Sequence, residues 1–134
     1  MAAVRLFVAD DIDGQWSELT DSGEPPVRVA AEDLSQARRA RARIRAGSDD
    51  VAVILDVTVA VADDFRSARR ELDSVEGVHY VGTVDGLAGL IADIETTGVA
   101  DGVTLIAASP RQDLRAVGLD VIDWLAVRGQ AKAS

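Results

Sequence analysis

The chain has 134 residues, enough for one domain with one buried core. It has no cysteine and one histidine, which excludes disulfides, thiolate metal sites and a histidine-rich metal centre. A formal net charge of −9 opposes nucleic acid and anionic membranes as partners, and no apolar run is long enough to span a bilayer, so a cytoplasmic protein is expected.

Val4 to Ala9 is predicted as the first strand, β-branched and apolar. Residues 10–26 hold several acids, Gly14, Gly23 and Pro25-Pro26, and are predicted as a long loop with a short turn near Trp16. Val27 to Val29 reads as a short extended piece. Glu32 to Ala46 is predicted as a helix whose inner stripe is Leu34, Ala37, Ala40 and Ile44, with Gly47 as its stop. Val51 to Val61 is the strongest strand. Its nearly continuous Val, Ile, Leu and Ala mark a strand covered on both faces, interrupted by Asp56 and Thr58.

Asp63 or Asp64 then caps a helix with Phe65, Ala68, Leu72 and Val75 facing inward, ended by Gly77. Val78 to Val81 is a short strand. Thr83 is the expected cap of a helix that buries Leu87, Leu90, Ile91 and Ile94 and stops at Gly98. Val103 to Ala107 is the last strand. Ser109-Pro110-Arg111-Gln112 reads as a capping box with proline at the first helical position. The closing helix uses Leu114, Val117, Val121 and Leu125 and ends at Gly129, with residues 130–134 as a flexible tail.

Hydrophobic residues make up 48% of the chain but aromatics only 4%, so the core is expected to be small and β-branched. Lys132 is the only lysine. Abundant Ala, Val, Arg and Asp beside it point to a GC-rich, actinobacterial-type genome. The alternation of strand and helix predicts one α/β domain with about four mostly parallel strands, joined by right-handed βαβ crossovers. Four strands can make an open sheet or half of a (β/α) barrel, and 134 residues are about half of what a whole barrel needs.

Three segments resemble one family. Tyr80-Val81-Gly82-Thr83-Val84-Asp85-Gly86-Leu87 is similar to the Gly-Thr-Pro-Glu strand-to-helix junction of luciferase-like monooxygenases. Gly98-Val99-Ala100-Asp101-Gly102-Val103 resembles that family's step into its last barrel strand. Asp113-Leu114-Arg115 through Arg128-Gly129 resembles its closing helix. Upstream, Asp33 to Ala37 and Asp50 to Asp63 fit the same pattern more loosely. The resemblance implies the C-terminal half of a TIM-barrel oxidoreductase, a partial (half) TIM-barrel-like fold. It implies FMN or the deazaflavin F420 as the cofactor, bound only by an oligomer, because the family's N-terminal half supplies most residues near the reacting ring. The contrasting expectation is a non-catalytic association module that has lost its cofactor.

In parallel α/β folds, ligands sit at the C-terminal ends of strands. The candidate cofactor-binding residues are therefore Gly82, Thr83, Ser109 and Arg111. Ser109 and Arg111 stand where a helix N-terminus would favour a phosphate, and the plainer reading is an ordinary cap beside a surface arginine. No catalytic residue is assigned. His79 lacks a paired base in sequence. Asp10, Asp11, Asp13, Asp63 and Asp64 match no cation loop, so no metal is expected. Arg38, Arg39, Arg41, Arg43 and Arg45 put five charges on one helix, for which a solvated polar face is the plain reading and internal pairing or an acidic partner surface the expected use. Trp124 is expected in the core, and Trp16 either folds over the sheet or anchors an interface. A half-barrel would leave an apolar inner face open. That predicts cover by the Trp16 loop, a homodimer, or association with a full-length family member.

Overall fold

The computed structural model describes residues 4–9, 16–20, 24–47, 50–71, 77–109 and 112–133. Its elements in chain order are β1 (Arg5–Ala9), β2 (Trp16–Glu18), β3 (Pro26–Val29), α1 (Leu34–Gly47), β4 (Ala52–Val61), α2 (Phe65–Glu71), β5 (His79–Gly82), α3 (Val84–Thr96), β6 (Gly102–Ala107) and α4 (Leu114–Ala133). This is a mixed α/β fold whose curled, half-barrel sheet has mostly parallel strands.

The order across the sheet is β2-β1-β6-β4-β3, with β5 also on β4. β3 pairs with the first half of β4 and β5 with its second half, while β6 lies along the other edge. β6, the last strand in sequence, therefore separates β1 from β4. A βα barrel places successive strands side by side, so this is not the order of half a TIM barrel. Among the described strands only β2 runs antiparallel.

β4 is central and buried along nearly its whole length, as its apolar run requires. One face of the sheet presents Leu6, Leu55, Val57, Val59, Val103 and Leu105. Ala37 of α1, Leu87, Ile91 and Ile94 of α3, and Leu114 and Val121 of α4 close over them. The step β4–α2–β5 reverses direction across the sheet. The right-handed rule then puts α2 on the opposite face from α1 and α3. Ala68 of α2 is fully buried yet lies outside the α1–α3–α4 cluster.

Several expectations change. The region read as a loop with a turn near Trp16 contains strand β2, bonded to β1 through pairs such as Val8↔Ser17. Three residues are too few to show a period of two, and what holds β2 lies outside them. Phe65 is 61% exposed rather than inward, and among the described side chains of α2 Ala68 is the one buried in the core. Leu72 and Val75 lie outside the described residues. Trp124, expected in the core, is 45% exposed, since Val121 and Leu125 take the inner stripe of α4. Leu34 is exposed at the first turn of α1. α1 includes Gly47, and α4 continues past Gly129 to Ala133.

The capping box also moves. α4 starts at Leu114, and the Asp113 carboxylate, not Ser109, accepts from the Ala116 N–H at 3.1 Å. The inner face of the curled sheet is not left open. Phe7 and Ile54 are buried there, and the Trp16 ring stacks on Phe7 with centroids 4.4 Å apart. Trp16 thus covers Phe7 and Ile54 on that face, the first of the three remedies expected.

Candidate functional site at the carboxyl end of β4

Adjacent strands β4 and β6 send their chains to opposite faces of the sheet, β4 into α2 and β6 into α4. Such a switch leaves a crevice beyond the strand ends, where α/β sheets take ligands. The structure brings three of the four candidate residues there. Gly82 pairs with Val61 on one side of β4, and Thr83 follows it. On the other side the Ala108 N–H donates to the Val59 carbonyl, and Ser109 follows, buried. Arg111, the fourth, lies outside the described residues.

The crevice is filled by the chain's own groups. β6 stops pairing at Ala107↔Val59, which leaves both backbone groups of Val61 facing the gap. The Gln112 side chain closes it. Its Oε1 accepts from the Val61 N–H at 2.8 Å, and its Nε2 donates to the Val61 carbonyl at 3.2 Å. A buried strand end needs such partners, and Gln112 supplies both.

The two helix N-termini at this rim carry carboxylates. Asp113 caps α4. At α3, Thr83 is the N-cap without a side-chain capping bond, and its hydroxyl donates to the Asp85 carboxylate instead. An acid in the first turn complements the helix dipole and repels a phosphate that would use it. Tyr80 packs under this junction and its hydroxyl donates to the Thr83 carbonyl at 2.8 Å, with its acidity weakened by burial. Gly82 has φ of +155°, and a Cβ there would lie 2.5 Å from the Tyr80 hydroxyl.

A second polar cluster lies on the sheet face under Trp16. Asp56, near the middle of β4, is 9% exposed, and its Oδ1 accepts from Arg28 Nε at 2.8 Å. Burial pushes the Asp56 carboxyl up, and Arg28 offsets only part of that. Arg28 Nη2 is buried without a hydrogen-bond partner among the described residues. The guanidinium lies 5.9 Å from the Trp16 ring centroid, so the ring's π face supplies part of its environment. Trp16 Nε1 donates to the buried Thr104 hydroxyl at 2.8 Å. Beside it, Arg5 and Glu18 pair at 2.7 Å. The Arg5 hydrogen bond is the main cause that holds the Glu18 carboxyl below its usual range.

Sequence reasoning missed Arg28, Thr104 and the bonding of Gln112. One signal was present: a carboxylate inside a run as apolar as 52–61 needs a partner. That the partner is Arg28 follows only from β3 lying against β4.

The remaining candidates are dispersed. His79 is exposed at the start of β5, with Nδ1 3.1 Å from the Gly77 carbonyl oxygen. Asp63 and Asp64 are exposed, and backbone and hydroxyl bonds from Ser67 hold the Asp64 carboxyl below its usual range. Asp10, Asp11 and Asp13 lie outside the described residues. Among the described residues no three His, Asp or Glu side chains are grouped to hold a metal ion. The α1 arginines are largely engaged within the chain. Arg41 and Arg45 pair with Asp101, Arg38 donates to the Thr97 carbonyl and Arg39 to the Ser35 hydroxyl. No helix is long and apolar enough to cross a membrane among the described residues.

No family model matches the chain, and no curated protein matches it.

Proposed function

We propose that this chain is a non-catalytic protein-association module. The observation that carries the reading is the outer face of α4, where Leu119, Trp124 and Val127 are 50%, 45% and 59% exposed on one helix. Scattered surface apolar residues are ordinary, but three on one helix face, one of them Trp, form an anchor of the kind that dominates interfaces. The state of the crevice adds support. Gln112 is bound to Val61, and the N-termini of α3 and α4 already hold Asp85 and Asp113, so little there is preorganised for chemistry.

A second reading has one observation in its favour. Gly82 and Thr83 on one side of β4 and Ser109 on the other flank its carboxyl end, where the resemblance to luciferase-like monooxygenases would put FMN or F420. The strand order counts against that resemblance. Fluorescence titration with FMN and with F420, at high protein concentration, separates the two. The association reading expects no saturable binding. Saturable binding lost in Thr83→Ala and Gln112→Ala would replace it with a cofactor-binding function.

A further inference from the structure

The outer face of α4 combines apolar and acidic residues in a fixed pattern. At 3.6 residues per turn, Leu119, Asp123 and Val127 succeed one another at four-residue spacing. Asp120 lies one turn before Trp124, and Trp124 is three residues before Val127. All six positions are exposed if Ala116, which opens the face, is included. A partner must therefore cover apolar side chains and answer two carboxylates.

A second copy of this face answers them poorly. Antiparallel pairing that sets Leu119 against Val127 sets Asp123 against its own copy. Pairing that sets Leu119 against Trp124 sets Asp120 against Asp123. Parallel pairing about a two-fold axis sets every residue against itself. These three registers juxtapose carboxylates, a fourth with Leu119 against its own copy would set Arg115 against Asp123, and in every register two chains of formal charge −9 repel.

We infer that α4 docks a basic amphipathic helix of another protein, its apolar stripe covering Leu119, Trp124 and Val127 and its Lys or Arg residues facing Asp120 and Asp123. Helix-on-helix recognition of this kind reads anchors at three- and four-residue spacing. The charged rim sets orientation and on-rate, and the apolar residues hold the complex. The inference rests on the association reading and specifies its partner.

The test uses the full chain and two synthetic helical peptides with the same leucine stripe, one flanked by arginine and one by glutamate. Amide chemical shifts and calorimetry are the readouts. The arginine peptide is expected to perturb amides of residues 116–127 and to bind more weakly as salt rises. Leu119→Ser with Val127→Ser should abolish binding, and Asp120→Arg with Asp123→Arg should weaken it at least about tenfold. These residues are exposed, so the variants keep the fold. Equal binding of the glutamate peptide, shifts spread over other acidic surfaces, or no binding would overturn the inference. Self-association through α4 would also overturn it and leave the association reading standing. Saturable FMN or F420 binding would instead remove the reading beneath it.

Discussion

Arg28 and Asp56 show how unequal the two halves of an ion pair can be. Asp56 is the more buried partner and carries the desolvation cost. Arg28→Ala is expected to cost about 3 kcal/mol at neutral pH, because it leaves that carboxylate without its partner. Asp56→Asn is expected to cost about 1–2 kcal/mol, less than Arg28→Ala, since the amide oxygen still accepts from the more exposed Arg28. Burial raises the folded-state pKa of Asp56 above its unfolded value. Its contribution is therefore fully present below the unfolded pKa and lost as pH rises through the folded one. In Arg28→Ala the offset is gone, so the acid-side gain should widen. Urea denaturation at neutral and mildly acidic pH measures both effects, and equal stability of the two variants at neutral pH would refute the assignment. Tyr80 offers a separate test. A Cβ on Gly86 would collide with the Tyr80 hydroxyl. Gly86→Ala is expected to cost roughly 1–3 kcal/mol alone and distinctly less in a Tyr80→Phe background, a coupling that a double-mutant cycle reads directly.

At the level of elements, Asp101 ties α1 to the sheet just before β6. Its Oδ1 accepts from Arg41 at 2.9 Å and its Oδ2 from the Val53 N–H at 2.8 Å, while its own N–H donates to the Val53 carbonyl. Burial alone would raise the Asp101 carboxyl, but the Arg41 and Val53 bonds and the charge of Arg45 outweigh it and the net shift is downward. This contribution has the opposite sign to that of Asp56. It is present above the unfolded pKa and lost as pH falls through the folded one. Asp101→Ala is expected to cost about 2 kcal/mol in thermal unfolding at neutral pH, with the deficit shrinking in acid. No change at neutral pH would mean that Ala37 packing and the Arg38 and Arg45 bonds to backbone carbonyls hold the helix without Asp101.

The strands β1, β4, β5 and β6 and all four helices were legible from apolar period and from Gly77 and Gly98, which take positive φ where the sequence ends a segment. β2 was not legible, because what holds it, pairing with β1, the Arg5–Glu18 ion pair and the Trp16 bond to Thr104 88 residues on, lies outside its own three residues. The start of α4 was misplaced because Ser109 and Asp113 are both good caps. The difference is that β4 has an unpaired end for Gln112 to close.

At the scale of the whole molecule, Trp16 completes the layer on the sheet face that α2 covers only in part. It stacks on Phe7, bonds Thr104 and lies under the Arg28 guanidinium. Trp16→Ala is expected to cost about 3 kcal/mol and to open Phe7 and Ile54 to a hydrophobic dye. Trp16→Phe should keep most of the stack while leaving the Thr104 hydroxyl without its donor. Dye binding that is unchanged in Trp16→Ala would show that other parts of the chain cover the face.

The sequence by itself determined the α/β class, the parallel strands and the buried β4. These follow from local period, which each segment carries within itself. Only the tertiary structure decided that β6 lies between β1 and β4, that Asp56 is answered by Arg28, and that Gln112 closes the crevice where a cofactor was expected. Those are contacts between segments far apart in the chain, and which strand edges meet is set by packing of the whole sheet. The same reason put Trp124 outside: α4 has one inner stripe, and Val121 and Leu125 fill it against the sheet and α3.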